Sequence, residues 1–138
     1  MPHCRTRIIP ALTLAAALTG CAATPQVATA ILTSGAALSQ GKRTEVHQFN
    51  TDDFVIELVS FTWPGTTQDG GFHEVSGQWY RDGTLISQGG PYRRLFASSP
   101  WTIRAERAAA LLGVGHFKVQ LLVDGDVAAE SEFDITAK

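Results

Sequence analysis

The sequence predicts an all-β fold, an antiparallel β-sandwich of about seven short strands. Three observations carry that expectation. From Glu45 onward apolar and polar residues alternate at period two. Asp82-Gly83, Gly89-Gly90 and Asp124-Gly125 punctuate the alternation with turn-forming pairs. Beyond Glu45 only one stretch, Ala105 to Leu112, has helical character.

The elements follow in order. Phe54, Ile56 and Leu58 alternate with Val55, Glu57 and Val59, and Phe61 and Trp63 continue the run until Pro64-Gly65 breaks it. Both faces are largely apolar, as in a strand buried between layers. A polar loop from Thr66 to Gly71 leads to a second strand, on which His73, Val75, Gly77 and Trp79 share a face. Asp82-Gly83 then closes a hairpin, because glycine accepts the positive φ that a tight turn demands. Leu85 to Ser87 is the returning strand, and Gly89-Gly90-Pro91 is expected to end it. Ser98-Ser99-Pro100 reads as an extended turn into a strand at Trp101-Thr102-Ile103, and Ala105 to Leu112 as a helical turn or two stopped by Gly113. The last hairpin is the clearest. Phe117, Val119, Leu121 and Val123 line one face, Asp124-Gly125 turns the chain, and Val127, Ala129, Ser131, Phe133 and Ile135 face inward while Glu130, Glu132 and Asp134 face outward.

Trp79 before the first hairpin and Gly115-His116-Phe117-Lys118-Val119 before the last resemble strands C and F of immunoglobulin-like domains, a resemblance that covers roughly residues 46–136. It implies a core tryptophan at Trp79. Phe117 stands where that family carries the corner tyrosine, so the usual hydroxyl bond is absent, and no cysteine pair bridges the sheets.

The start of the chain reads differently. Arg5 and Arg7 precede an apolar run from Ile8 to Leu18 that is too short to span a bilayer, and small residues lead to a cysteine. Leu18-Thr19-Gly20-Cys21 resembles the lipobox of bacterial lipoproteins. The resemblance implies a signal peptide over 1–20, cleavage before Cys21, and a diacylglycerol on its thiol. Ala22 stands where an Asp would mark inner-membrane retention, so the same resemblance implies the outer membrane, with the domain on the periplasmic face. No later apolar run approaches the length of a membrane span. Residues 21–44, rich in Ala, Thr, Ser, Gly and Gln, are expected to form a lipidated tether with a mean span of roughly 25 Å. A short helix from Ala28 to Leu38 is the alternative, weakened by Thr33-Ser34-Gly35. The sandwich is then expected over 45–138.

Without residues 1–20 the chain carries 9 Lys+Arg against 13 Asp+Glu, a net charge of −4 with neutral histidines. That mild acidity argues against a nucleic-acid footprint, which needs a clustered basic stripe. Cys4 departs with the signal peptide and Cys21 takes the lipid, so no disulfide is expected within one mature chain and burial alone must hold the fold.

Candidate chemistry is sparse. His47, His73 and His116 fall in no metal-ligand spacing, and His73 and Glu74 point to opposite faces of a strand. No metal is expected. Asp52-Asp53 lack the further oxygen ligands of a calcium loop. The serines form no G-x-S-x-G elbow, and no glycine-rich phosphate cradle opens a helix. Neither catalytic residues nor a cofactor are expected. Two segments put aromatic residues beside loop formers: Trp63-Pro64-Gly65, and Gly89-Gly90-Pro91 followed by Tyr92, Arg93 and Arg94. Aromatic faces stack on sugars or apolar surfaces, and guanidinium groups pair with carboxylate or phosphate. Tyr92, Arg93, Arg94 and Trp63 are therefore the candidate partner contacts. The alternative is that Trp63 closes one end of the core and the arginines are simply solvated. The reading is a lipid-anchored binding or scaffolding module whose partner is an envelope protein or a cell-wall glycan. An envelope enzyme, an enzyme inhibitor, or a subunit of a secretion or pilus apparatus are the alternatives.

Overall fold

A computed structural model describes residues 24–65 and 68–138. The signal peptide and Cys21 lie outside the described residues. The chain forms the expected all-β sandwich, with eight strands and two short helices among the described residues: β1 (Gln26–Ser34), α1 (Gly35–Ser39), β2 (Gln48–Asn50), β3 (Phe54–Thr62), β4 (Phe72–Arg81), β5 (Thr84–Leu95), β6 (Trp101–Ala108), α2 (Ala109–Leu112), β7 (Gly115–Val123) and β8 (Asp126–Thr136). One sheet has the order β1-β3-β6 and the other β2-β8-β7-β4-β5. Every pairing is antiparallel except β2 with β8.

The core lies between the sheets and is filled by alternate residues of each strand: Val55, Val59 and Phe61 from β3, Val75 and Trp79 from β4, Phe117, Val119 and Leu121 from β7, and Ala129, Phe133 and Ile135 from β8. It divides into two clusters. One surrounds Trp79, Phe117 and Phe133; the other surrounds Phe61, Trp63 and Phe96. In the first, the Phe117 and Phe133 rings stack at 5.5 Å and Trp79 meets Phe133 edge-on at 6.1 Å. β3 is the centre of its sheet, and Ile56 and Leu58 are buried on its outer face as well. That accounts for its double-sided apolar pattern.

Four expectations need correction. Of the tether expected over 21–44, residues 26–39 belong to the fold. β1 pairs with β3 from Gln26↔Thr62 to Ser34↔Val55, burying Leu32, Thr33 and Ser34, and the Ser34 hydroxyl accepts the Ala37 amide to cap α1. The physical reason is β3: once this strand is buried, the backbone N–H and C=O groups on both its edges need ladder partners, and β1 supplies one side as β6 supplies the other. Its first five residues are exposed, which is why its composition resembles a linker.

The second correction is β5, which does not stop at Gly89-Gly90-Pro91 but continues to Leu95. The register with β4 shifts there, so the segment is a bulge in an edge strand. Gly90 has φ +85°, and a Cβ on it would lie 2.6 Å from the Val75 carbonyl oxygen, so only glycine fits. Third, most of the helix expected over 105–112 is strand. β6 keeps pairing with β3 from Phe61↔Trp101 to Phe54↔Ala108, leaving α2 a single turn. The long β3 edge overrides the local helix preference of Ala, Arg and Glu. Finally, Val127 is exposed, because a bulge between Leu121 and Leu122 shifts its register near the turn.

Candidate functional site

β5 is the outer strand of the five-stranded sheet, and its far half carries Tyr92, Arg93 and Arg94. These residues lie on a strand, not on a loop tip. Phe72, the first residue of β4, pairs with Leu95 and shares one face of the sheet with Arg93. Tyr92 and Arg94 lie on the other face, opposite Val75 and His73, so the two pairs flank the β5 edge. The Arg93 guanidinium sits 4.2 Å over the Phe72 ring and that of Arg94 lies 5.2 Å over Tyr92. Both rings are about half exposed, Phe72 at 52% and Tyr92 at 55%. Glu74 is opposite Arg93 in the register, yet among the described residues neither arginine makes an ion pair. The result is two cationic planes held against aromatic faces, with their outward N–H groups available to phosphate or carboxylate. Sequence reasoning missed Phe72, whose place after a polar loop gives no signal.

Trp63 is elsewhere in function. It is buried, its indole N–H donates to the Gln68 carbonyl at 3.0 Å, and its ring lies 6.3 Å from Phe96. It closes one end of the core and is not a contact residue.

His47, His73 and His116 are each held by hydrogen bonds. The His73 ring bridges the Asp124 carboxylate and the Gly70 carbonyl, each at 2.7 Å, and packs 4.6 Å from Phe96. His47 binds the Glu132 carbonyl at 2.8 Å and the Glu45 carboxylate at 3.0 Å, and the carbonyl bond is the chief reason its pKa is raised. His116 is raised chiefly by its bond to Asp134. Asp53 accepts the Phe54 amide, and Asp52 pairs with Lys138. Among the described residues no three such side chains converge as a metal site would require.

One acidic residue went unremarked in sequence. Glu57 projects from β3 into the core with 0% exposure, between Val55 of one cluster and Val59 of the other. Ser131 of β8, placed the same way between Ala129 and Phe133, donates to Oε1 at 3.1 Å; Oε2 has no partner. Burial pushes the carboxyl up to about 7, with the Ser131 bond and the charge of His47 pulling the other way. The available signal was its position: an acid on a strand that is apolar on both faces has no wet side to turn to.

No protein-family model matches the chain, and no curated protein matches it. Solved structures do. An immunoglobulin-like protein of Pseudomonas aeruginosa superposes with a TM-score of 0.55 at 9% identity, over 85% of this chain and 100% of its own. The alkylpurine DNA glycosylase AlkC of Pseudomonas fluorescens, solved bound to DNA containing an abasic site analog, superposes with a TM-score of 0.53 at 14% identity. The match covers 83% of this chain, which spans 31% of that enzyme's length. At such identities the likeness carries architecture alone. The chain has an immunoglobulin-like β-sandwich fold.

Proposed function

We propose that this chain is an envelope lipoprotein: a non-catalytic binding or scaffolding module, anchored through lipid on Cys21 and facing the periplasm from the outer membrane. The observation that carries the reading is the order Arg5, Arg7, apolar run, Leu18-Thr19-Gly20-Cys21, followed within a few residues by the first strand of a sandwich. Two acyl chains together bury on the order of 30 CH₂ groups at about 0.8 kcal/mol each, well beyond what one chain supplies. Wild-type protein is expected in the detergent phase of a phase partition, and Cys21→Ser as an unprocessed or soluble form. Wild type recovered wholly in the soluble periplasmic fraction overturns the anchor.

The contact surface of this module is the far half of β5. Its unpaired guanidiniums and half-exposed rings are the residue types that dominate binding hot spots. Tyr92→Ala with Arg93→Ala is expected to leave the thermal midpoint nearly unchanged while reducing bound envelope material about tenfold or more. Early melting of the double variant would instead make Tyr92 a packing residue and place the contact elsewhere.

A further inference from the structure

We infer that the β5 edge, flanked by the Phe72–Arg93 pair on one face of the sheet and the Tyr92–Arg94 pair on the other, rests on the phosphate headgroups of the membrane that holds the anchor. This deepens the reading above and rests on it. The argument is one of reach. Because β1 begins at Gln26, only residues 22–25 separate Cys21 from the folded domain, and the five Cα steps from Cys21 to Gln26 cover at most about 18 Å.

The end of the sandwich where β1 enters is also the end that carries the patch. Gln26 pairs with Thr62, and a Cβ built on Gly70 would lie 3.1 Å from Pro25 Cγ and 3.0 Å from Phe96 Cβ. The Gly70 amide donates to the Phe96 carbonyl at 2.7 Å, and Phe72 pairs with Leu95 just beyond. The opposite end, with the Asp82-Gly83 turn, lies about 30 Å further off, the length of nine-residue β1. A lipid on Cys21 can therefore bring the patch to the headgroups but not the far end.

The chemistry suits that neighbour. Phosphates accept from guanidinium, and half-exposed aromatic rings settle at the headgroup level. Acidic residues are present at this end too, but they are placed or engaged otherwise. Asp124 binds His73 and the Glu74 amide, Asp69 binds the Gly71 amide, and Asp124 and Asp126 flank the β7–β8 turn, two to three strand spacings or roughly 10–15 Å from β5. Glu74 lies beside Arg93. That asymmetry tilts the domain so that the β5 edge, and not the β7–β8 turn, faces the surface.

The test uses full-length lipidated protein in phosphatidylethanolamine–phosphatidylglycerol nanodiscs containing a small share of lipid with a paramagnetic headgroup. Amide signals of residues 70–73 and 92–95 should lose intensity severalfold more than those of the Asp82-Gly83 and Gly113–Gly115 turns. Arg93→Gln with Arg94→Gln should relax that contrast, each arginine changing surface binding about fivefold. Uniform broadening, or broadening strongest at the far turns, overturns the proposal while leaving the anchor intact. So does a patch untouched by lipid but protected by an added envelope protein or glycan. A Cys21 peptide whose mass shows no acyl chains overturns the anchor and the proposal together.

Discussion

Trp79→Ala should destabilise the domain by roughly 3–5 kcal/mol, a large share of the 5–15 kcal/mol that holds a domain of this size. Trp79 is 1% exposed and sits where β4, β7 and β8 converge, edge-on to Phe133 and under the Arg107 guanidinium at 5.9 Å. Truncation removes the indole from a site that both sheets pin, so the cavity can only partly collapse. Phe133 would lose one of its three aromatic neighbours, and Arg107 its ring face. The thermal midpoint should fall by more than about 10 °C. A midpoint within a degree or two of wild type would remove Trp79 from the centre of the core.

The second large effect is on pH. Glu57 takes up a proton more readily in the folded chain than in the unfolded one, its carboxyl rising from 4.5 to about 7. A carboxyl raised in this way stabilises fully below about pH 4.5, and that contribution is lost as pH climbs through the folded value near 7. Over this window the loss amounts to roughly 3 kcal/mol. Glu57→Gln keeps the shape and cannot ionise. The stability difference between wild type and Glu57→Gln should therefore drift in favour of the variant by that amount between about pH 4.5 and pH 7.5. Any fixed cost of the amide cancels in the comparison, as does the titration of His116; His47 is coupled to Glu57, so its own titration is part of the measured difference. Other charges near the carboxyl are few: Glu45 and His47 act on it from the segment before β2, while Arg107 shares the inner face of β6 but turns to Ser87 and Trp79. Denaturant melts of both proteins across the window decide it. A pH-independent difference would mean that Glu57 titrates as an ordinary surface acid.

What sequence reveals of this fold depends on whether a strand has one wet face. β4, β7 and β8 do, and Trp79, Phe117 and Phe133 fall on the dry side of a clean alternation. β1 escapes notice because its fate is decided by β3, not by its own Ala- and Thr-rich residues. The tail of β6 escapes for the same reason: Ala105 to Ala108 suit a helix in isolation and a strand beside β3. At the site, residue type was informative and position was not. Tyr92, Arg93 and Arg94 stand out by chemistry, yet Gly89-Gly90-Pro91 looks like a strand end when it is a bulge within one. Trp63 misleads in the opposite sense, since the Pro64-Gly65 beside it suggests a loop while its ring turns inward. Glu57 required asking where a charge goes when neither face of its strand is wet.

The bulge at Gly90 also bears on how crowded copies of this chain behave. From Thr84 to Gly90 the edge of β5 has no charged residue and exposes Leu85 and Ile86, the sort of backbone template on which a strand from another molecule can grow. Beyond it the edge changes character. The register breaks, Pro91 has no N–H to donate, and Arg93 and Arg94 follow. Growth along β5 is thereby confined to residues 84–90, before the bulge. The irregularity that places the arginines thus also limits how far neighbouring chains can zip together along this edge.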